Sequence, residues 1–292
     1  MEGLAPIEAL GLLAIVAKAT GYAAALLAMG GALFLVSFPD APEASRRLAR
    51  KIAILAVLLG LAILAVRFGI RAARISGMGF QGAIDPMMLG FVWESPLGTT
   101  AVLRSIGLVM VLGLLFRGVI GTGAGLFGAL LIAASYTFVG HSLGDPRWAL
   151  AGLLTVHLLA AAFWVGALAP LHSAAAHPAG ADLLHRFGHV ASITVAILVL
   201  VGVTFAWLMV GSFTGLITTA YGWTLLAKVA VVSGLLGLAA LNKLRFVPAL
   251  AQAQPNATRH LRRSIGFEAL AVGIILIATA TLTSVTTPPV NL

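Results

Sequence analysis

Read along its length, the chain alternates long apolar runs with short polar breaks, and within each run the apolar residues follow one another without alternation. Such runs exclude the strands of a transmembrane β-barrel, where lipid-facing and lumen-facing positions alternate. Each run approaches the roughly 20 residues that a helix needs to cross a hydrocarbon core of about 30 Å. Eight spans are predicted, over residues 7–37, 52–70, 99–116, 124–140, 148–170, 189–210, 222–241 and 265–284. The breaks fall at PDAPEASRRLARK, at the long RAARISGMGFQGAIDPMMLGFVWESP, and at RGVIGTG, SLGDPR, LHSAAAHPAGADLLHRFG, GSFTGLITTAY and NKLRFVPALAQAQPNATRHLRR. The expected fold is an all-α integral membrane protein of about eight transmembrane helices, with no sizeable soluble domain.

The spans suggest two parallel four-helix repeats, residues 1–145 and 146–292, within one membrane domain. In the third span GTTAVLR sets Gly98 six residues before Arg104, and in the seventh GWTLLAK sets Gly222 six before Lys228. YAAALLAMGGAL from Tyr22 aligns with HLLAAAFWVGAL from His157, so that Gly31-Ala32-Leu33 falls on Gly166-Ala167-Leu168. Four spans separate the equivalents, and an even number preserves direction, which puts the axis between the halves along the membrane normal. The pairs Gly30-Gly31 and Gly234 with Gly237 read as points of close helix packing.

Composition supports the membrane reading. Of 292 residues, 60% are hydrophobic and 9% charged, against roughly a quarter charged in an ordinary soluble domain. The excess of 18 Lys+Arg over 9 Asp+Glu would suggest a polyanion partner in a soluble protein. Here its positions carry a different meaning. If the N-terminus is outside, the inner breaks hold Arg46, Arg47, Arg50, Lys51, Arg117, Arg186, Lys243, Arg245, Arg259, Arg262 and Arg263, 11 of the 18, while Arg67, Arg71, Arg74 and Arg147 fall outside. The positive-inside rule then puts both termini on the outer side, and the basic charge is a topology signal with no nucleic-acid partner implied. Glu2 and Glu8 near the N-terminus do not form the basic n-region of a cleaved signal peptide. With no cysteine, thiolate chemistry is absent, and any soft metal must be held by His and Met.

Ionisable groups inside the bilayer cost several kcal/mol unless paired or hydrated, so they are the first candidates for function. Those assigned to spans are Lys18, Arg104, His141, His157, Lys228 and Glu268. Arg104 and Lys228 lie about two turns below the outer surface, where they either snorkel to the headgroups or bind something anionic. Glu268 opens the last span near the inner surface, beside Arg262 and Arg263. His157 lies some 13 Å deep and needs a partner. His141 ends the neighbouring fourth span before the turn Gly144-Asp145-Pro146, nearer the outer surface. A second group, His172, His177, His185 and His189, lies at the inner side, and the i, i+4 spacing of His185 and His189 puts both imidazoles on one helix face, suited to Cu or Zn. Met78, Met87 and Met88 occupy the long outer break with Asp85 and Glu94 nearby, and thioethers favour Cu(I). There is no phosphate-binding glycine loop, no HExxH and no acidic metal cluster, so no enzymatic activity is expected.

Several stretches together resemble one family. HLLAAAFWVGALAPL from His157, Ala220-Tyr221-Gly222, LLAKVAVVSGLLGLAALNKLRFVPAL, RRSIGFEALAVGIILIATATLTSVTTPP and, in the third span, SPLGTTAVLR are similar to the copper resistance protein D (CopD) family. The resemblance implies a bacterial inner-membrane protein of eight helices that handles copper, often beside a periplasmic copper-binding protein of the CopC type. His141 and His157 match family histidine positions, and Arg104, Lys228, Asn242 and Glu268 match its polar positions.

The expected function is inward passage or delivery of copper without ATP. Met78, Met87 and Met88 would collect the ion, His141 and His157 would form the intramembrane site, and the four inner histidines would receive it. Two alternatives stay open: a b-type cytochrome with paired histidines on haem and Arg104 or Lys228 on the propionates, or a structural anchor for a periplasmic copper protein.

Overall fold

The computed structural model describes residues 9–116, 118–139, 147–177 and 180–285, and these contain helices and no strand. In chain order the helices are α1 (Ala9–Ser37), α2 (Glu43–Ser76), α3 (Pro86–Glu94), α4 (Pro96–Val111), α5 (Val119–Ser135), α6 (Arg147–Ala174), α7 (Ala181–Val210), α8 (Phe213–Thr218), α9 (Ala220–Leu241), α10 (Val247–Ala251) and α11 (Ala257–Val285). Eight segments are long and apolar enough to span a membrane. The protein is thus an all-α, multi-pass membrane protein, with α3 and α8 on one side of the bundle and α10 on the other.

Several helices outrun the apolar runs that forecast them. The span expected at 52–70 lies within α2, Glu43–Ser76, so Arg46, Arg47, Arg50, Lys51, Arg67, Arg71 and Arg74 are helical and not in loops. Likewise α7 begins at Ala181, taking in His185, Arg186 and His189, and α11 begins at Ala257, taking in Arg259, Arg262 and Arg263. The apolar run reports the thickness of the hydrocarbon, whereas the backbone ladder continues into the interface until a turn stops it. Acids in the first turns of α2 and α7 complement the helix N-termini. Glu43 pairs with Arg46 at 3.8 Å and Arg47 at 3.7 Å, and Asp182 with Arg186 at 3.0 Å.

The short helices α3 and α8 precede α4 and α9. The Ser95 hydroxyl caps α4 by accepting from the Leu97 N–H at 3.2 Å, and Thr219 caps α9 by accepting from the Gly222 N–H at 3.0 Å. A Cβ on Gly98 would overlap the Trp93 carbonyl, and one on Gly222 the Leu216 carbonyl, so both junctions need glycine. Trp93, Trp148, Trp207 and Trp223 are exposed at this side, as interfacial tryptophans commonly are.

At the centre, α1 packs on α2, α5, α6 and α11. Its fully buried Met29 and Phe34 flank Gly30, which meets Gly166 of α6 backbone to backbone: a Cβ on Gly30 would lie 2.6 Å from the Gly166 Cα. Gly31 abuts Ala49 and Ala53 of α2. Phe163 stacks on Phe187 at 5.5 Å, with Phe38 beside both. Small residues allow these approaches, as membrane bundles require. Gly234 and Gly237 do not fit that pattern, since among the described residues nothing lies within 4 Å of a Cβ built on either. They sit on a face of α9 that no other described residue covers, and spacing alone does not tell a packed face from a lipid face. Beyond Leu241 the helix widens into a π turn over Asn242–Phe246, in which the Val247 N–H reaches back five residues to the Asn242 carbonyl. Pro248, lacking an N–H, follows at once.

Candidate functional site

On the α3/α8 side a cationic and phenolic cluster lies inside the bundle. Arg104 is only 5% exposed. Its Nε–H donates to the Ser135 hydroxyl at 3.0 Å, and its guanidinium stands 3.7 Å over the Tyr136 ring. Tyr136 in turn packs on Tyr22 at 5.7 Å. Such a desolvated cation–π contact is worth about 2 kcal/mol. Arg104 therefore does not snorkel, and it is not displayed on the surface where a donor protein would dock. Its Nη2 is buried without a hydrogen bond among the described residues. Arg67 lines a narrow cleft with it, bordered by Gly21 and Gly60. Lys18, the other span cation on this side, donates to the Thr283 carbonyl at 2.7 Å and to the Ser284 hydroxyl at 3.3 Å, tying α1 to the end of α11. Ser135 and Tyr136 were not singled out in the sequence, although their place at the end of an apolar span, level with Arg104, is the signal that would find them.

His157 lies on α6, and its Nδ1 is buried without a hydrogen bond among the described residues. Lys228 lies on α9. Arg104 goes to Ser135 and Tyr136. His141 lies outside the described residues. Met78 and Met87 are exposed, and Met88 is half-buried. Asp85 caps α3, its carboxylate accepting from the Met88 N–H at 2.9 Å, so this acid is engaged locally. On the opposite side, His185 and His189 are exposed on one face of α7 with ring centroids 4.8 Å apart. His172 is half-buried on α6 and His177 is exposed just beyond its end. His260, not considered in the sequence, stacks on Phe246. Among the described residues no three His, Asp or Glu side chains come together as a metal site. Nor do they give His157 a second intramembrane histidine, and His141, the partner that a bis-histidine haem would need, lies outside them.

Glu268 departs most from expectation. It lies about three turns into α11, well past the N-terminus and its arginines, and is 4% exposed. Its Oε2 accepts from the Trp164 Nε1–H at 3.2 Å, and its Oε1 from the Asn242 Nδ2–H at 2.5 Å. Trp164 comes from α6 and Asn242 from the π turn, so three segments meet at one carboxylate. Beside it a cavity of about 280 Å³ extends between α6, α7, α9 and α11. Its walls are mostly apolar, with Glu268, Asn242, Lys243 and Ser192 as the polar side chains besides the Trp164 indole. The Lys243 ammonium donates to the Ser192 hydroxyl at 2.5 Å.

Comparison with known families gives two matches along the chain. The family model described as copper resistance protein D matches residues 181–282. The one described as copper resistance protein D-like, N-terminal domain matches residues 8–146. No curated protein and no solved structure matches.

Proposed function

The chain belongs to the copper resistance protein D family, and on that premise we propose that it passes copper inward across the bacterial inner membrane, without ATP and without a chemical reaction. Membership carries copper handling at the membrane in general. The particular route is our reading.

The observation that carries it is the buried Nδ1 of His157, which has no hydrogen bond among the described residues. An imidazole in the membrane interior normally satisfies both nitrogens, and in the tautomer that carries its proton on Nε2 a free Nδ1 offers its lone pair to a soft cation. The ligands then form a graded path: Met78, Met87 and Met88 at the α3/α8 side, His157 within the bundle with His141 on the preceding segment, and His172, His177, His185 and His189 at the far side. Scattered weak ligands suit an ion in transit, since conduction needs sites that also let go. The basic residues at the α10 ends of the helices make that side the cytoplasmic one, with both termini outside. The thioether-bearing segment would then face the periplasm, where a copper-binding protein of the CopC type would deliver its ion.

The matched junctions at Ser95–Gly98 and Thr219–Gly222, each preceded by a short helix, support reading residues 1–145 and 146–292 as parallel repeats. On that reading α1 and α6 are equivalent helices that meet at Gly30 and Gly166.

The test is copper accumulation in cells expressing His157→Ala at wild-type protein level. Accumulation should fall to the level of cells lacking the protein; unchanged accumulation removes His157 from the route.

A further inference from the structure

We infer that Glu268, with Asn242 and Trp164, is a proton-binding site inside the membrane, loaded and unloaded through the cavity beside it. The inference stands apart from the copper route, which uses none of these three residues.

A buried carboxylate ordinarily has a cation to balance it. Each element packed against α11 offers Glu268 something else. From α6 comes the indole N–H of Trp164, while His157 and His172 stand further along that helix toward either end. From α9 and the π turn comes Asn242, with Lys228 far up α9, Lys243 turned to Ser192, and Arg245 two residues beyond it. From α1, Lys18 and Tyr22 engage Thr283 and Ser284 at the other end of α11. The segment α10 has no titratable residue. Along α11 itself, Arg263 stands over Phe267. Across the cavity on α7, Arg186 holds Asp182, while His185 and His189 are exposed. Among the described residues, no salt bridge reaches Glu268, and the charged group sharing its cavity is Lys243.

Asn242 supplies what a proton-binding carboxyl needs. Its Nδ2–H donates to Oε1 while its Oδ1, also buried, has no hydrogen bond among the described residues. An amide offers a donor and an acceptor from one planar group. With Glu268 ionised, the amide donates, as in this structure. When a proton arrives from water in the cavity, an O–H bond forms at Oε1, the amide turns over, and the new O–H donates to Oδ1. The Nδ2–H···Oε1 bond is replaced by O–H···Oδ1, and the Trp164 bond to Oε2 persists. Both protonation states are therefore hydrogen-bonded without any movement of helices.

A metal cation fits this site poorly. Both carboxylate oxygens already take N–H donors, and the Ser192 hydroxyl is held by Lys243, whereas hard cations seek about six oxygens. The cavity has room for several waters to carry protons to the group. The π turn that places Asn242 is a type of distortion found often at functional positions.

The experiment is infrared difference spectroscopy on the purified full-length protein in lipid nanodiscs, without copper, between acid and alkaline pH. The wild type should show the C=O stretch of a buried protonated carboxyl appearing as pH falls. Glu268→Gln should lack that band, and Asn242→Ala should keep it at a shifted frequency, because its hydrogen bond is gone. In a second measurement, a variant retaining Trp164 as its one tryptophan should change fluorescence with the same midpoint, and Glu268→Asp should move that midpoint. A band that persists in Glu268→Gln, or Trp164 emission that is flat with pH while Glu268→Asp leaves it unchanged, overturns the proposal. So does a signal that follows sodium and not pH. Because no copper is present, a failure here leaves the copper route untouched, and failure of that route leaves this site standing.

Discussion

Replacing Gly30 with alanine should loosen the centre of the bundle by an amount that the geometry sets. The added Cβ would stand 2.6 Å from the Gly166 Cα and closer still to the Ala162 carbonyl oxygen. Carbon atoms rest at about 3.5–4.0 Å, so α1 and α6 must part by roughly 1 Å or bend by as much. A gap of that size forfeits a quarter to a half of each dispersion contact it opens. Membrane helices are held together chiefly by such packing, since lipid offers no hydrophobic drive to close the gap. The cost should be about 1–3 kcal/mol, as for an overpacked core. Gly234→Ala on α9 is the control: nothing lies within 4 Å of its Cβ among the described residues, and the better helix former should leave stability level or raise it by up to about 1 kcal/mol. Gly30→Ala with Gly166→Ala should cost less than the sum of the single changes, because the second methyl enters a gap already opened. The assay is reversible unfolding in mixed micelles of rising SDS fraction, followed by circular dichroism. If Gly30→Ala unfolds no earlier than Gly234→Ala, the close crossing is not a source of stability and the reasoning fails.

Further predictions follow from the other sites. Ser135→Ala leaves the Arg104 Nε–H without its acceptor, and thermal unfolding in detergent should show a loss of about 1–3 kcal/mol; an unchanged midpoint would mean that water or lipid takes over. A reporter fused at Gln254, between α10 and α11, should report the cytoplasm and one fused at Phe80 the periplasm; the reverse pattern overturns the orientation. Met78→Leu with Met87→Leu and Met88→Leu keeps the apolar bulk and removes the thioethers. It should slow copper uptake when the metal is scarce and spare it when the metal is abundant, whereas equal loss at both levels would point to damaged structure.

Much of the architecture was legible because lipid imposes it. Eight apolar runs gave eight spans, but their ends were not legible: Arg46 to Lys51 and Arg67 to Arg74 are polar yet helical, since the ladder does not stop where the hydrocarbon does. Gly30 and Gly234 look alike as letters. One meets a backbone and the other no described atom, a difference that depends on which neighbour each helix face receives. The site was legible only as a set of costly residues. That Arg104 goes to Ser135 and Tyr136, and Glu268 to Trp164 and Asn242, is a matter of helix rotation and of the π turn, and neither has a period that the sequence displays.

The central claim is passage of copper through the chain itself, and reconstitution tests it most directly. Purified protein in liposomes holding a Cu(I)-selective fluorescent chelator, with copper supplied outside and no ATP, should admit the ion. Vesicles carrying His157→Ala should admit it no faster than protein-free ones. Wild-type vesicles that stay dark, or His157→Ala vesicles that fill as fast as the wild type, would contradict the account.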